Sequence, residues 1–473
     1  MRRSARATSL RARVRTRRFE AMRTIVLLTA QRCGAAYILP PIRCRPFQET
    51  PMRDETLALH HGYEFDGQHA VAVPVHQTTS FAFDSAQHAA DLFDLKEPGN
   101  IYSRIMNPTC AVLEQRIAAL EGGVGALALA SGMAAITAAI QTIAETGDNI
   151  VSISDLYGGT FNLFAHTLPR QGIETRFFHK DDFEGMAAAI DDRTRALYCE
   201  SIGNPSGNVA DIGRLAELAH AHGIPLIVDN TVGTPFLQKP IAFGADIVIH
   251  STTKYIGGHG TSVGGVLVDS GKFPWLQHAE RFRMLTEPDV SYHGVNYAAD
   301  VGAAAFITRA RVVPLRNMGA AMSPFNAFLF LQGLETLALR MERINVNTVA
   351  VASYLQEHPR VKWVSYAGLP DHRDHALTRK YLKGHGSGIL SFGVDGGREA
   401  GARFYDALQL IIRLVNIGDA KSCAAIPAAT THRQLDDAEL EQAGVTADMV
   451  RLSIGIEHID DLIEDLAQAL DAV

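Results

Sequence analysis

The chain reads as an α/β protein with a mainly parallel central sheet and a smaller α+β domain behind it. Three observations predict this. Short apolar runs recur at wide intervals: ALALA (126–130), NIVSIS (149–154), RALYCE (195–200), IPLIVD (224–229), ADIVIH (245–250) and GGVLVD (264–269). Segments with helical spacing lie between them, and near-continuous apolar strands alternating with helices are the mark of a sheet covered on both faces. Beyond about residue 305 the rhythm changes to long helical patterns followed by a few strand-like runs.

In chain order, residues 1–51 form a basic leader with 12 Arg, no Lys and two acids. Its composition is that of an organelle transit peptide; a simpler reading is an unstructured leader ahead of a start at Met52. Residues 52–110 are expected to form an N-terminal arm. CAVLEQRIAALEGG (110–123) has helical spacing and ends in glycines, and ASGMAAITAAIQTIA (130–144) opens a helix at a small turn. The large domain is expected over 111–305, ending in the polar stretch TEPDVSYHG. A C-terminal domain is expected over 306–473, with a long helical pattern (328–359), strand-like VKWVSYAG and GILSFGV, and a final amphipathic segment from Ile459 to Val473.

Composition excludes several classes. The net charge is −7, and beyond the leader the balance is −17, with no basic face suited to nucleic acid. No apolar run approaches the ~18 residues of a membrane-spanning helix. Five scattered cysteines have neither CxxC nor zinc spacing, so neither a disulfide framework nor a structural metal is indicated, and a reducing cytoplasm fits. GTSVG (260–264) formally matches a hydrolase nucleophile elbow at Ser262, but a strand-like run follows it where an elbow needs a helix.

The chemistry concentrates at HSTTKYIGGHG (250–260). Ligands of open α/β sheets bind at the carboxyl ends of strands. Lys254 lies just beyond the run Ala245–Ile249, and Asp229 closes the preceding run. An amine and a carboxylate on one rim could simply pair. Ser251 and Thr253 add hydroxyls beside the amine, however, and the turn at 130–132 supplies the N-terminus of a helix, which favours an anion. A phosphate cup, an amine for an imine and a carboxylate for a ring nitrogen are what pyridoxal 5′-phosphate requires.

Seven ordered stretches carry a resemblance: YSRIMNPT (102–109), ASGMAAI (130–136), DLYGGT (155–160), ESIGNP (200–205), DNTVGTP (229–235), HSTTKYIGGHG and RLSIGIE (451–457). From about Met52 onward the chain resembles the Cys/Met-metabolism family of pyridoxal-phosphate enzymes. NIGDAKS (416–422), PAATTH (427–432) and TEPDVSYHG make it most similar to the O-acetylhomoserine sulfhydrylases.

The resemblance implies a type I, aspartate-aminotransferase-like fold. Lys254 would be the Schiff-base lysine and proton carrier, Asp229 the partner of the ring nitrogen, and Tyr157 the ring-stacking residue. Gly132, Met133, Ser251 and Thr253 would bind phosphate. Tyr102 and Arg104 would complete that site from a neighbouring subunit, in a homotetramer built as a dimer of dimers. Asn204 would contact the cofactor or the substrate carboxylate, Asn416 the substrate, and Arg451 the α-carboxylate, although an arginine at that place could also pair with Glu457. The implied reaction replaces the γ-acetoxy group of O-acetyl-L-homoserine with sulfide or methanethiol, releasing acetate. Cystathionine γ-synthase, γ-lyase and O-succinylhomoserine sulfhydrylase are the alternatives. Ile426, Ala429 and Lys421 depart from the usual pattern near the expected substrate side, and Lys421 favours a sulfhydrylase over a lyase.

Overall fold

The computed structural model describes residues 52–93, 96–97, 99–430, 433 and 445–473. The leader 1–51 and the pair Thr431–His432 of PAATTH lie outside the described residues. Seven strands form the central sheet: β1 (Gly125–Leu129), β2 (Asn149–Ile153), β3 (Glu174–Phe178), β4 (Thr194–Glu200), β5 (Leu226–Asp229), β6 (Ile247–His250) and β7 (Gly265–Asp269). Their order is β1-β7-β6-β5-β4-β2-β3. Only β7 runs against the rest.

β1, β2, β6 and β7 are buried at every residue. Helices on both faces supply that burial, which is why the strands read as unbroken apolar runs. β3 escapes the sequence pattern. Its ETRFF sequence lies at the sheet edge, partly exposed, with charged residues where a central strand carries aliphatic ones.

Local chemistry sets the helix ends. The Pro108–Glu121 helix begins with the Asn107 side chain accepting from the Thr109 N–H at 3.0 Å, with proline in its first turn. It ends at Gly122, whose φ of +79° is the left-handed conformation that glycine adopts without penalty. The Gly132–Ile143 helix is capped by Ser131, which accepts from Ala134 N–H at 3.0 Å.

A second sheet of five strands comprises β8 (Val361–Ser365), β9 (Ile389–Val394), β10 (Ile412–Arg413), β11 (Cys423–Ala425) and β12 (Met449–Ser453), in the order β10-β11-β12-β9-β8. All pairings but β10-β11 are antiparallel. The helix Leu337–Glu357 joins the two cores. Leu337, Met341 and Ile344 enter the large one, and Val351, Ala352 and Leu355 the small one. Among the described residues no helix is long and apolar enough to cross a membrane.

The GNPSG loop after β4 and the chain beyond it are tied to the smaller domain. Ser391 Oγ donates to Pro205 O at 2.7 Å, and Ser365 Oγ to Ser206 O at 3.2 Å. Asp374 accepts from Val209 N–H at 3.0 Å and from Lys180 Nζ at 3.0 Å, with both side chains of that ion pair buried. Removing one member of a buried pair strands the other charge. Lys180→Ala is therefore expected to lower stability by about 3 kcal/mol in urea unfolding. A loss indistinguishable from zero would contradict this account of the junction.

Candidate active site

In the parallel register, Glu200 at the end of β4 stands opposite Asp229 at the end of β5. β6 ends one strand further on and delivers Ser251, Thr253 and Lys254 to the same rim. A cavity of about 220 Å³ opens there. It is lined by Gly132, Met133, Tyr157, Glu200, Asn204, Asp229, Ser251, Thr253, Lys254, Asn416 and Arg451, among others. Ten residues expected from the sequence therefore share one cavity.

Tyr102 and Arg104 are not among its lining residues. Arg104 donates to Arg316 O, and Tyr102 is exposed in an isolated bridge with Ser80.

One end of the cavity suits an anion. The Ser131 cap leaves the first N–H groups of the following helix, at Gly132 and Met133, without intrahelical acceptors. A Cβ on Gly132 would come within 2.7 Å of Ser251 Cβ, so only glycine lets the helix start approach the β6 end this closely. The Ser251 N–H donates to Thr231 Oγ1 at 2.7 Å. The Thr253 hydroxyl is bound to the Gly264 backbone, accepting from its N–H at 3.0 Å and donating to its carbonyl at 3.2 Å.

Lys254 Nζ donates to Asn416 Oδ1 at 2.7 Å. Burial first, and the positive charge of Arg451 second, push its pKa below the ordinary lysine value, which favours the neutral amine. The glycines beyond Lys254 serve close packing. Arg340, buried in the long helix, donates to Tyr255 O at 2.6 Å and Ile256 O at 3.1 Å, and a Cβ on Gly258, at φ +66°, would collide with its guanidinium. These contacts make the segment a clamped turn.

Asp229 is half-buried at the cavity wall, and desolvation raises its pKa, opposed by hydrogen bonds from Thr231 and by His250. The Thr231 N–H reaches Asp229 Oδ1 at 2.9 Å. Tyr157 leaves 43 % of its surface exposed at the cavity, and its N–H donates to Glu200 Oε1 at 2.6 Å.

Arg451, on β12, is 3 % exposed and donates to Asn204 Oδ1 at 3.1 Å and Asn416 O at 2.8 Å. Its Nε has no partner among the described residues. Glu457 is occupied elsewhere, accepting from the Ser422 N–H at 2.5 Å and hydroxyl at 2.9 Å, so the alternative ion pair does not form. Lys421 faces Asp419 at 2.9 Å, largely exposed. Ser262 is followed by β7 and not by a helix, so no nucleophile elbow is built.

Sequence reasoning passed over Glu200. The signal was present, because Glu200 closes RALYCE as Asp229 closes IPLIVD.

The family model for Cys/Met metabolism PLP-dependent enzymes matches residues 55–471. The chain belongs to that family. It is 53% identical over 419 residues to the homocysteine synthase of Schizosaccharomyces pombe, covering 88% of this chain and 98% of that protein. To the O-acetyl-L-homoserine sulfhydrylase 1 of Thermus thermophilus it is 51% identical over 422 residues, covering 89% and 100%. Among solved structures, a putative O-acetylhomoserine (thiol)-lyase from Campylobacter jejuni, crystallised with a pyridoxyl-lysine phosphate, matches with a TM-score of 0.86. That pair shares 43% identity over 89% of this chain and 100% of the other.

Pyridoxal 5′-phosphate is thus the cofactor of this family member, and the cavity's own donors fit it. Free N–H groups lie at one end, and an amine, a half-buried carboxylate and a partly exposed aromatic side chain line the same cavity. Gly132→Ala is expected to weaken cofactor binding by roughly tenfold or more, about 1.4 kcal/mol, in a titration of the cofactor-free protein, with an unchanged circular dichroism spectrum. Undiminished affinity would remove Gly132 from the anion cradle.

Proposed function

We propose that the chain catalyses γ-replacement on O-acetyl-L-homoserine, with sulfide entering and acetate leaving to give L-homocysteine; methanethiol in place of sulfide gives methionine. One observation carries the reading. A desolvated amine, a half-buried carboxylate and a guanidinium with a free donor line a single cavity, in a chain about half identical to proteins named homocysteine synthase and O-acetyl-L-homoserine sulfhydrylase.

When bound, pyridoxal phosphate supplies a protonated aromatic ring that accepts the electron pair left at Cα. The chain's residues do the rest. Arg451 binds the substrate α-carboxylate with a planar fork of donors, aided by Asn204, which it already holds. Lys254 would be the attachment amine; released, it takes the Cα proton and passes it on, then takes a Cβ proton as acetate leaves Cγ, and after hydrosulfide has added at Cγ a proton is returned to Cβ and another to Cα. Asn416 directs that amine. Asp229 would partner the ring nitrogen and Tyr157 the ring face, and Gly132, Met133 and Ser251 would hold the phosphate, with Thr253 beside them.

Tyr102 and Arg104 lie outside the cavity of their own chain. Their exposed position supports a role in a neighbouring subunit's site, hence a homo-oligomer, with a dimer of dimers as the proposed form. The described cysteines, Cys110, Cys199 and Cys423, are buried free thiols, which supports a reducing cytoplasmic setting.

Steady-state comparison of O-acetyl- and O-succinyl-homoserine, each with sulfide, methanethiol and cysteine, tests the substrate assignment. The acetyl ester with sulfide is expected to have the highest kcat/KM. Preference for the succinyl ester, or for cysteine as the nucleophile, would move the chain to O-succinylhomoserine sulfhydrylase or cystathionine γ-synthase. Lys254→Ala is expected to abolish turnover without unfolding the protein. Arg451→Ala is expected to raise KM by roughly 10- to 100-fold, the value of lost charged hydrogen bonds, with a smaller change in kcat. Full activity of either variant would refute the role given to that residue.

A further inference from the structure

Glu200 belongs to none of the roles above, yet it is built into the same rim. It closes β4 opposite Asp229 in the strand register, lines the cavity and is buried. Its Oε1 accepts the Tyr157 N–H at 2.6 Å, and a second backbone donor, at Asn204, also bears on it.

The groups facing Glu200 are acidic or neutral. Asp229 comes from β5. Asp155 comes from the segment after β2, its carboxylate accepting from Asn208 Nδ2 at 3.0 Å. Tyr198 and Cys199 precede it on β4, both buried. The basic side chains near the cavity are committed elsewhere. Lys254 is held by Asn416, Arg451 by Asn204 and Asn416, and His250 lies 2.7 Å from Glu121 behind the rim.

Glu200, which is buried, and Asp229, half-buried beside it, disfavour each other's charge with no cation between them, so the pair holds a proton more tightly than an isolated carboxyl does. The donors decide where it sits. Asp229 has the Thr231 N–H, and the Thr231 hydroxyl, which accepts from Ser251 N–H, keeps its own proton for the aspartate. His250 further favours charge on Asp229. Glu200 has backbone N–H donors alone, at Tyr157 and Asn204; they favour its charge, but burial and the neighbouring Asp229 act against it. Burial first, then the neighbouring Asp229, push the Glu200 pKa well above the ordinary carboxyl range.

We propose that Glu200 is the member of the pair that keeps the proton. It acts as a positioning residue, its neutral carboxyl fixing the Tyr157 backbone while Asp229 remains the one anion beneath the ring nitrogen. The inference rests on the cofactor placement given under the proposed function.

Infrared spectroscopy of the holoenzyme at neutral pH tests it, because a protonated carboxyl has a C=O band that a carboxylate lacks. The wild-type holoenzyme, with its full cofactor absorbance, is expected to have such a band, and Glu200→Gln to lose it. Glu200→Gln keeps a neutral acceptor for Tyr157. It should therefore retain a kcat/KM and a cofactor affinity at least about tenfold above those of Glu200→Ala, which strands the buried N–H. Three results would each overturn the inference: no band in the wild-type holoenzyme whatever the variants do, survival of the band in Glu200→Gln, or equal damage from glutamine and alanine. A wild-type protein that takes up no pyridoxal phosphate would instead refute the cofactor placement itself.

Discussion

The site depends on the parallel, in-register pairing of β4, β5 and β6. Parallel strands end together, so whatever follows each last apolar residue is delivered to one line. Here that line carries Glu200, Asp229 and the Ser251–Lys254 turn. A one-residue slip of β5 against β4 would turn Asp229 to the opposite face of the sheet, leaving the amine with no carboxylate across the cavity. The apolar strand interiors prevent that slip, because Ile227, Val228 and Val248 are fully buried between covered faces. Hydrophobic burial in the sheet thus fixes the position of charged groups at its edge.

The smaller domain supplies what the strand ends cannot. Arg451 on β12 and Asn416 after β10 enter the cavity from the second sheet, and Arg451 grips Asn204 of the loop after β4. Arg340, from the helix that joins the two cores, holds three backbone carbonyls, at Tyr255, Ile256 and Gly333. The turn carrying Lys254 is therefore anchored from below by the sheet and from the side by that helix. An amine that must move a proton between neighbouring carbons needs a fixed pivot, and these backbone contacts provide one.

The parts of this arrangement differ in how far the sequence displays them. Strands buried on both faces read directly as apolar runs, so the rim and its Asp229–Lys254 pair could be placed by position alone. β3 was not legible, because an edge strand with Glu174 and Arg176 lacks the apolar run. Contacts such as Arg451 with Asn204, 247 positions apart, follow from tertiary packing that no local spacing encodes. The roles of Tyr102 and Arg104 come from the family resemblance, since their own surroundings contain neither the amine nor the carboxylate. Glu200 is a different case: its local signal equals that of Asp229, and only the register reveals that the two acids must share a fate.

That shared fate links the electrostatics of the cavity to its work. After burial itself, Arg451, whose guanidinium does not give up its charge, lowers the affinity of the Lys254 amine for a proton. On the opposite wall the same competition runs between two acids, where donor geometry leaves Asp229 charged and Glu200 neutral. Desolvation drives both pairs. Burial that merely hid these groups would be a cost to the fold; here each pair has one member fixed in its charged form, so the burden falls on the other. Under the proposed function the lysine would serve as a base and the aspartate as the counter-charge to a ring nitrogen, with both states set by neighbours the chain itself provides.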